Sequence, residues 1–202
     1  QMPDFDPHDF VAHVTHPYLP LTPGSHWSYV GQTPEGTETN EIEVTHDTKL
    51  IVGTIHATVV RDRVFLNGVL KEDTFDWYGQ DEDGNVWYLG EDTKEYENGE
   101  VVSTFGSWEA GVNGGRAGII MLAHPPTGDD YQQEFMAGVA EDRARVMAVN
   151  KTARVPFGTF RDCIQTRETT PLEPGFRESK YYARGIGVVL EVSNDGERVE
   201  LV

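Results

Sequence analysis

The segment VVRDRVFLNGVLKEDTFDWYGQDEDGNVWYLGEDTKEYENGEVVSTFGSWEA, residues 59–110, carries three two-residue turn signals, Asn67-Gly68, Asp83-Gly84 and Asn98-Gly99. Each is flanked by runs rich in β-branched and aromatic residues. Asn-Gly and Asp-Gly supply the two positive-φ residues of a type I′ turn, whose twist matches that of the strands it joins. The segment therefore reads as a four-strand antiparallel meander. Centring each turn on its dipeptide sets Phe65 opposite Leu70, Tyr78 opposite Leu89, Trp87 opposite Gln80 and Trp108 opposite Leu89. One face then collects Val59, Tyr78, Trp87, Leu89, Val102 and Trp108. The other collects Val60, Phe75, Trp77, Val86, Tyr88, Val101 and Phe105. Both faces demand cover, so the expected fold is all-β: a strongly curved antiparallel meander sheet forming a half-barrel or open barrel. The same register opposes Asp62 to Asp73, a like-charge pair that marks either a bulge or coupled carboxylates at a cation site.

Working outward, residues 1–24 form a Pro- and His-rich arm. Asp6 as N-cap, Pro7 at the first helical position and Asp9 in the first turn predict a short N-terminal helix through about Val14, with Phe5 and Phe10 as its hydrophobic staple. That helix would cover an open end or face of the sheet. Pro17, Pro20 and Pro23 hold the following stretch extended, as a strap. Strands are expected at His26 to Gly31, Thr39 to Thr45 and Lys49 to Val60. Gly106 to Asp130 reads as a long loop. Beyond it, strands are expected at Tyr131 to Asn150 and Arg154 to Thr170, joined by a turn containing Lys151, although Met136 to Val149 also fits a helix. The last strands are Phe176 to Ala183, Gly187 to Ser193 and Glu197 to Val202. A chain of 202 residues suits one domain, 1–202.

Composition narrows the partners. Asp and Glu number 34 against 16 Lys and Arg, a formal charge of −18, so there is no basic patch for nucleic acid or an anionic membrane. No apolar run reaches the length needed to span a bilayer as a helix. Cys163 stands alone in an apolar run and reads as a small buried hydrophobe rather than a nucleophile. The start Gln-Met-Pro-Asp suggests a processed or trimmed product.

Four constellations are candidates for chemistry. Tyr78, Trp87 and Trp108, flanked by Asp76, Gln80 and Glu91, offer aromatic faces with polar neighbours, as a site for a sugar or a partly apolar small molecule needs; core packing is the competing reading. Glu109 beside Trp108, with His124 in the long loop, would make a general acid/base pair if the loop folds over the sheet. His8, His13 and His16 would hold zinc or copper if the strap folded back. Asp81, Asp83 and Asn85 match inner positions of a calcium loop, but Gly79 and Gly90 occupy its first and last ligand positions, as expected of a plain hairpin turn. A divalent metal ion is thus a possible cofactor that nothing in the sequence requires.

Three strings, Pro17-Tyr18-Leu19-Pro20-Leu21-Thr22-Pro23-Gly24, Asp76-Trp77-Tyr78 through Gly84-Asn85-Val86-Trp87-Tyr88, and Tyr181-Tyr182-Ala183-Arg184-Gly185-Ile186-Gly187-Val188-Val189, give the chain a family resemblance. It resembles secreted bacterial β-rich proteins of uncharacterised function and, more loosely, half-barrels of the lipoprotein-carrier type. The resemblance implies a secreted or periplasmic protein, or a trimmed lipoprotein, with no lipobox cysteine here. It brings no catalytic residue with it. The expected function is a ligand-binding protein holding an apolar or aromatic small molecule, or a glycan, in a sheet-lined cavity. The alternative is a cofactor-light or metal-assisted hydrolase, lyase or isomerase using the same cavity. A carrier should show a mostly apolar cavity, an enzyme an ionisable pair inside it with perturbed pKa values.

Overall fold

The structure, a computed structural model, describes residues 4–202; Gln1 to Pro3, the start of the expected arm, lie outside the described residues. Three short strands belong to the arm and strap: β1 (Phe10–Val11), β2 (Thr15–His16) and β3 (Leu19–Pro20). The long walls follow as β4 (His26–Thr33), β5 (Gly36–Ile51), β6 (Ile55–Leu66), β7 (Val69–Asp81) and β8 (Val86–Glu97). Next come β9 (Glu100–Ser103), β10 (Trp108–Glu109), β11 (Arg116–Met121), β12 (Asp130–Gln132) and β13 (Glu134–Phe135). The second half is β14 (Arg143–Val155), β15 (Gly158–Thr169), β16 (Glu178–Ala183), β17 (Gly187–Ser193) and β18 (Arg198–Leu201).

One antiparallel sheet runs β12-β14-β15-β16-β17-β18-β4-β5-β6-β7-β8-β11-β13. Its two edges, β12 and β13, are successive pieces of one segment separated only by Gln133. The sheet therefore nearly closes into a barrel, with residues 130–135 as the seam: Tyr131 pairs with Ala144 on one side and Glu134 with Ala117 on the other. Closure removes the exposed edges that a sheet of this length would otherwise present. Gly118 makes the seam possible, because a Cβ there would lie 2.4 Å from the Gln133 backbone carbon and 2.5 Å from the Gln132 carbonyl oxygen.

The hairpins explain where the expected register holds and where it slips. Asn67 and Gly68 adopt φ of 51° and 79°, Asn98 and Gly99 52° and 82°, as type I′ turns require. Phe65 faces Leu70 as expected. Between Val64 and Phe65 the ladder then shifts by one residue, so Asp62 faces Thr74 instead of Asp73. Asp73 is held by Arg61 through two hydrogen bonds of 2.7 and 2.8 Å. The middle turn departs from the sequence reading. Only Gly84 has positive φ, Gly84 N–H donates to Asp81 carbonyl, and Asp81 N–H donates to Asn85 carbonyl. That is a three-residue loop closing on a glycine, and it moves the register by one. Tyr78 consequently faces Tyr88, and Trp87 faces Gly79. A bulge opposite Trp77 restores the original register, so Asp76 faces Glu91. Trp108 faces Glu91, not Leu89.

The short N-terminal helix is absent. Asp6 accepts the His8 N–H in a side-chain turn at 2.9 Å, and the chain then pairs Phe10 with Asp81 and Val11 with Gln80 as β1. A helix of about two turns closes few backbone bonds, whereas the extended form pairs with β7 and lays Phe10 and Phe5 on the Trp87 indole at 6.1 and 5.3 Å. The arm does cover the sheet, in a different conformation. Gly79 leaves room for it, since a Cβ there would meet the Phe10 ring at 2.8 Å. The long loop contains two strands, β10 and β11, and Lys151 lies within β14, whose turn falls at Pro156-Phe157. Among the described residues no helix is long and apolar enough to cross a membrane.

Gly118→Ala is expected to cost about 3 kcal/mol, roughly a 10 °C fall in melting temperature, because backbone rather than a flexible side chain blocks the new methyl. Gly158→Ala, where nothing lies within 4 Å of the place the new methyl would take, is the control and should leave the melting temperature within a degree or two.

Candidate functional site

The rows of the ladder decide what faces the barrel interior. Ile42, Asp62, Thr74 and Thr93 are cross-strand partners in one row, Val60, Asp76, Glu91 and Trp108 in another, and Tyr78, Tyr88 and Gly118 in a third. The opposite wall contributes the rows Thr166, Lys180 and Glu191, and Ile164, Tyr182 and Val188. These rows enclose a cavity of about 140 Å³. Leu19 and Leu21 of the strap close one end, beside Ile186, Val188 and Ile120. Asp62, Asp76, Lys180 and Glu191 line the other, among Trp27, Tyr29, Tyr78 and Tyr182. The cavity is half apolar and half ionisable.

Lys180 organises the ionisable half. Its ammonium lies 3.1 Å from Glu168 and 3.7 Å from both Glu178 and Glu191. Burial works against its charge, but the three carboxylates outweigh it and hold the ammonium well above the usual lysine range. Glu168 also accepts hydrogen bonds from Gln133, Thr166 and Tyr182. Asp76 accepts the Tyr88 hydroxyl at 2.6 Å, and Tyr88 stacks on Tyr78 at 5.1 Å and meets Trp108 edge-on at 5.5 Å. Trp108 Nε1 donates to Glu134 at 2.9 Å.

Enclosure raises the carboxyl pKa values. Burial pushes Asp76 to about 6, with the Tyr88 hydroxyl holding it down, and Glu191 to about 7 against the pull of Lys180. Burial and the Asp142 carboxylate push Glu134 to about 8; burial with the Asp76 and Glu134 charges pushes Glu91 to about 9. Burial, then Asp76 and Glu191, hold Asp62 well above the carboxylate range, with the Asn40 amide pulling weakly the other way. Asp62 Oδ1 is buried with no hydrogen-bond partner in the protein, as is Asn40 Oδ1. A buried acceptor left in this way is costly unless something else meets it.

The structure brings together part of the set singled out from sequence. Tyr78, Asp76, Glu91 and Trp108 lie on the inner rows with the acids. Trp87 lies on the outer wall under the arm, its Nε1 donating to Asp81 at 2.8 Å, because the three-residue turn reversed its face. Gln80 anchors the arm, its side-chain oxygen accepting the Thr15 N–H at 2.8 Å. Asp81 spends its carboxylate on Asn85 and Trp87, Asn85 Oδ1 accepts the Ala123 N–H, and Asp83 is exposed. Glu109 pairs with Lys49 at 3.1 Å, whereas His124 lines a separate groove with His16, Tyr18 and Arg184. His8 and His13 are exposed while His16 is buried. Burial lowers the His16 pKa, and its Nδ1 accepts the Tyr18 N–H. Among the described residues no three His, Cys, Asp or Glu side chains are grouped to hold a metal ion. The carboxyl against the Trp108 indole is Glu134 and not Glu109; burial raises it, and the indole N–H pulls it partly back. Lys180, Glu191, Glu168 and Tyr182 were missed, although Glu178, Lys180 and Tyr182 at alternate positions carry the signal of one strand face.

No family model and no curated protein matches the chain. It resembles two solved structures. One is a candidate exported protein with a YmcC-like fold from Bacteroides fragilis, 16% identical, with 91% of this chain and 96% of that one covered and a TM-score of 0.49. The other is a candidate lipoprotein from Parabacteroides distasonis, 10% identical, with the same coverage and a TM-score of 0.46. Both likenesses are too distant to say what this chain does.

Two outcomes are expected of the site as described. A carboxyl whose folded pKa exceeds its unfolded value favours folding while protonated, a contribution complete below about pH 4 and lost as pH rises through the folded values. With those values at about 6, 7, 8 and 9, the melting temperature should fall steadily from pH 5 to pH 9. Glu91→Gln should flatten that fall, most visibly above pH 8. Trp87→Ala should destabilise the protein by about 3–5 kcal/mol in denaturant titration, as expected of a core indole rather than a binding residue.

Proposed function

We propose that the protein binds a small, partly apolar molecule inside the barrel, outside the cytoplasm. The observation that carries this reading is the cavity within the barrel that combines an apolar lining with the buried and unpartnered Asp62 Oδ1. A cavity for packing alone would be filled or uniformly apolar; one with a few convergent polar groups is built for orientation of a guest. A volume of about 140 Å³ suits a compact guest or the head of a longer one, and is small for a whole sugar ring with its hydration. Export rests on the family resemblance of the strap and aromatic strings.

A second reading, an enzyme, is favoured by one observation: Asp76 and Glu91 sit directly opposite one another with their pKa values pushed to about 6 and 9. Separated values of this kind suit one group as base and one as acid near neutrality.

Native mass spectrometry of the purified protein tests the binding reading. The expected result is a retained organic mass that is absent from Val188→Phe, whose ring would fill the cavity. A bare mass, together with an empty lumen after soaking with benzene-sized fragments, would overturn it.

A further inference from the structure

The walls of the cavity specify the charge of its occupant. Three carboxyls, Asp62, Asp76 and Glu191, line it against the single ammonium of Lys180. That ammonium is shared, lying closest to Glu168 and at 3.7 Å from Glu191. Asp76 has the Tyr88 hydroxyl. Asp62 has only the Asn40 amide beside it: its row neighbours are Ile42 and Thr74, and its Oδ1 meets no donor. An anionic guest would meet the repulsion that already holds these carboxyls toward their protonated forms, and a neutral guest would leave it in place. A cationic guest relieves it.

The remaining walls say what sort of cation. Trp27, Tyr29, Tyr78 and Tyr182 surround the acidic end, and aromatic faces attract a cation through their quadrupoles most strongly when water is excluded. Ile42, Val60, Val188 and Leu21 offer only carbon. A bare metal ion needs a shell of hard oxygen ligands, and no such grouping occurs among the described residues. At about 140 Å³ the space compares with cavities of roughly 150 Å³ that admit benzene. The net charge of −18 adds a field that draws cations toward the protein.

We propose that the occupant of the lumen is a small organic ammonium, its charge against Asp62 and its carbon against Trp27, Ile42, Val60 and Val188. This rests on the lumen being a binding site at all. Asp62 is the anchor, and the aromatic side chains form the cage around the nitrogen substituents.

Isothermal titration at pH 8 and fixed chloride, with choline and its neutral carbon isostere 3,3-dimethyl-1-butanol as probes, separates the two ideas. Choline should bind saturably and at least 10-fold more tightly than the alcohol. Asp62→Asn should weaken choline by 10-fold or more, leave the alcohol unchanged, and melt no lower than the parent because a repelled carboxyl has been removed. If the alcohol binds as tightly as choline, or Asp62→Asn leaves choline unaffected, the ammonium assignment is overturned while lumen binding stands. If neither probe binds, lumen binding fails and the assignment with it. The comparison of the two probes on the unaltered protein decides the charge preference even if Asp62→Asn does not fold.

Discussion

Among the described residues Lys180 is the one basic side chain lining the cavity, and it is the counter-charge around which the barrel gathers its acids. Three glutamates from three different strands, β15, β16 and β17, converge on one ammonium within 3.7 Å. Taking this many charges out of water is costly, and only mutual contact and hydrogen bonds offset the cost. The donors from Gln133, Thr166 and Tyr182 to Glu168 belong to that compensation, and Gln133 comes from the seam itself. Electrostatics inside the lumen and closure of the sheet are therefore one construction. Asp76, Glu91 and Glu134, which form no ion pair with Lys180, manage instead by staying partly protonated and by leaning on Tyr88 and Trp108.

The outer surface of the same sheet solves a plainer problem. Trp77, Trp87 and Leu89 are apolar and face away from the lumen, and all three are buried. Phe5 and Phe10 of the arm supply the cover over Trp87, with Gly79 giving the ring its place. The two hydrophobic faces inferred from the meander thus have different fates: the outer one is packed by the chain's own arm, and the inner one is interrupted by acids.

Much of the architecture was legible in the residues. Asn67-Gly68 and Asn98-Gly99 marked their hairpins because few residues other than Asn and Gly accept the required φ, and the demand for cover on both faces implied curvature. The site was legible only in fragments. Asp83-Gly84 has the same dipeptide chemistry but closes a three-residue loop, because the Asp81 carboxylate captures Asn85 and Trp87 and tightens the turn from outside. That one extra residue exchanged the faces of Trp87 and Tyr88. The clash foreseen between Asp62 and Asp73 was real as a signal: the ladder skips Lys71 on β7, which sets Thr74 instead of Asp73 opposite Asp62. Lys180 and its glutamates come from strands far apart from the meander in sequence, and local periodicity has no means of pairing them. The arm was misread as helix because capping residues describe a start, and only the tertiary partner, here β7, decides whether a helix follows.

The strap lies across the apolar end of the cavity, with Leu19 and Leu21 in its wall and three prolines stiffening it. Gly185 N–H donates to the Pro17 carbonyl, Gly24 N–H donates to the Val44 carbonyl, and the Tyr18 hydroxyl donates to the Asp162 carbonyl, so the strap is tied to the barrel along its length. A stiff segment held at both ends lifts as a unit or not at all. Guests would then come and go at the tempo of that lifting, whatever the strength of their contacts inside. For any guest of the lumen, residence time and affinity would then be separate properties.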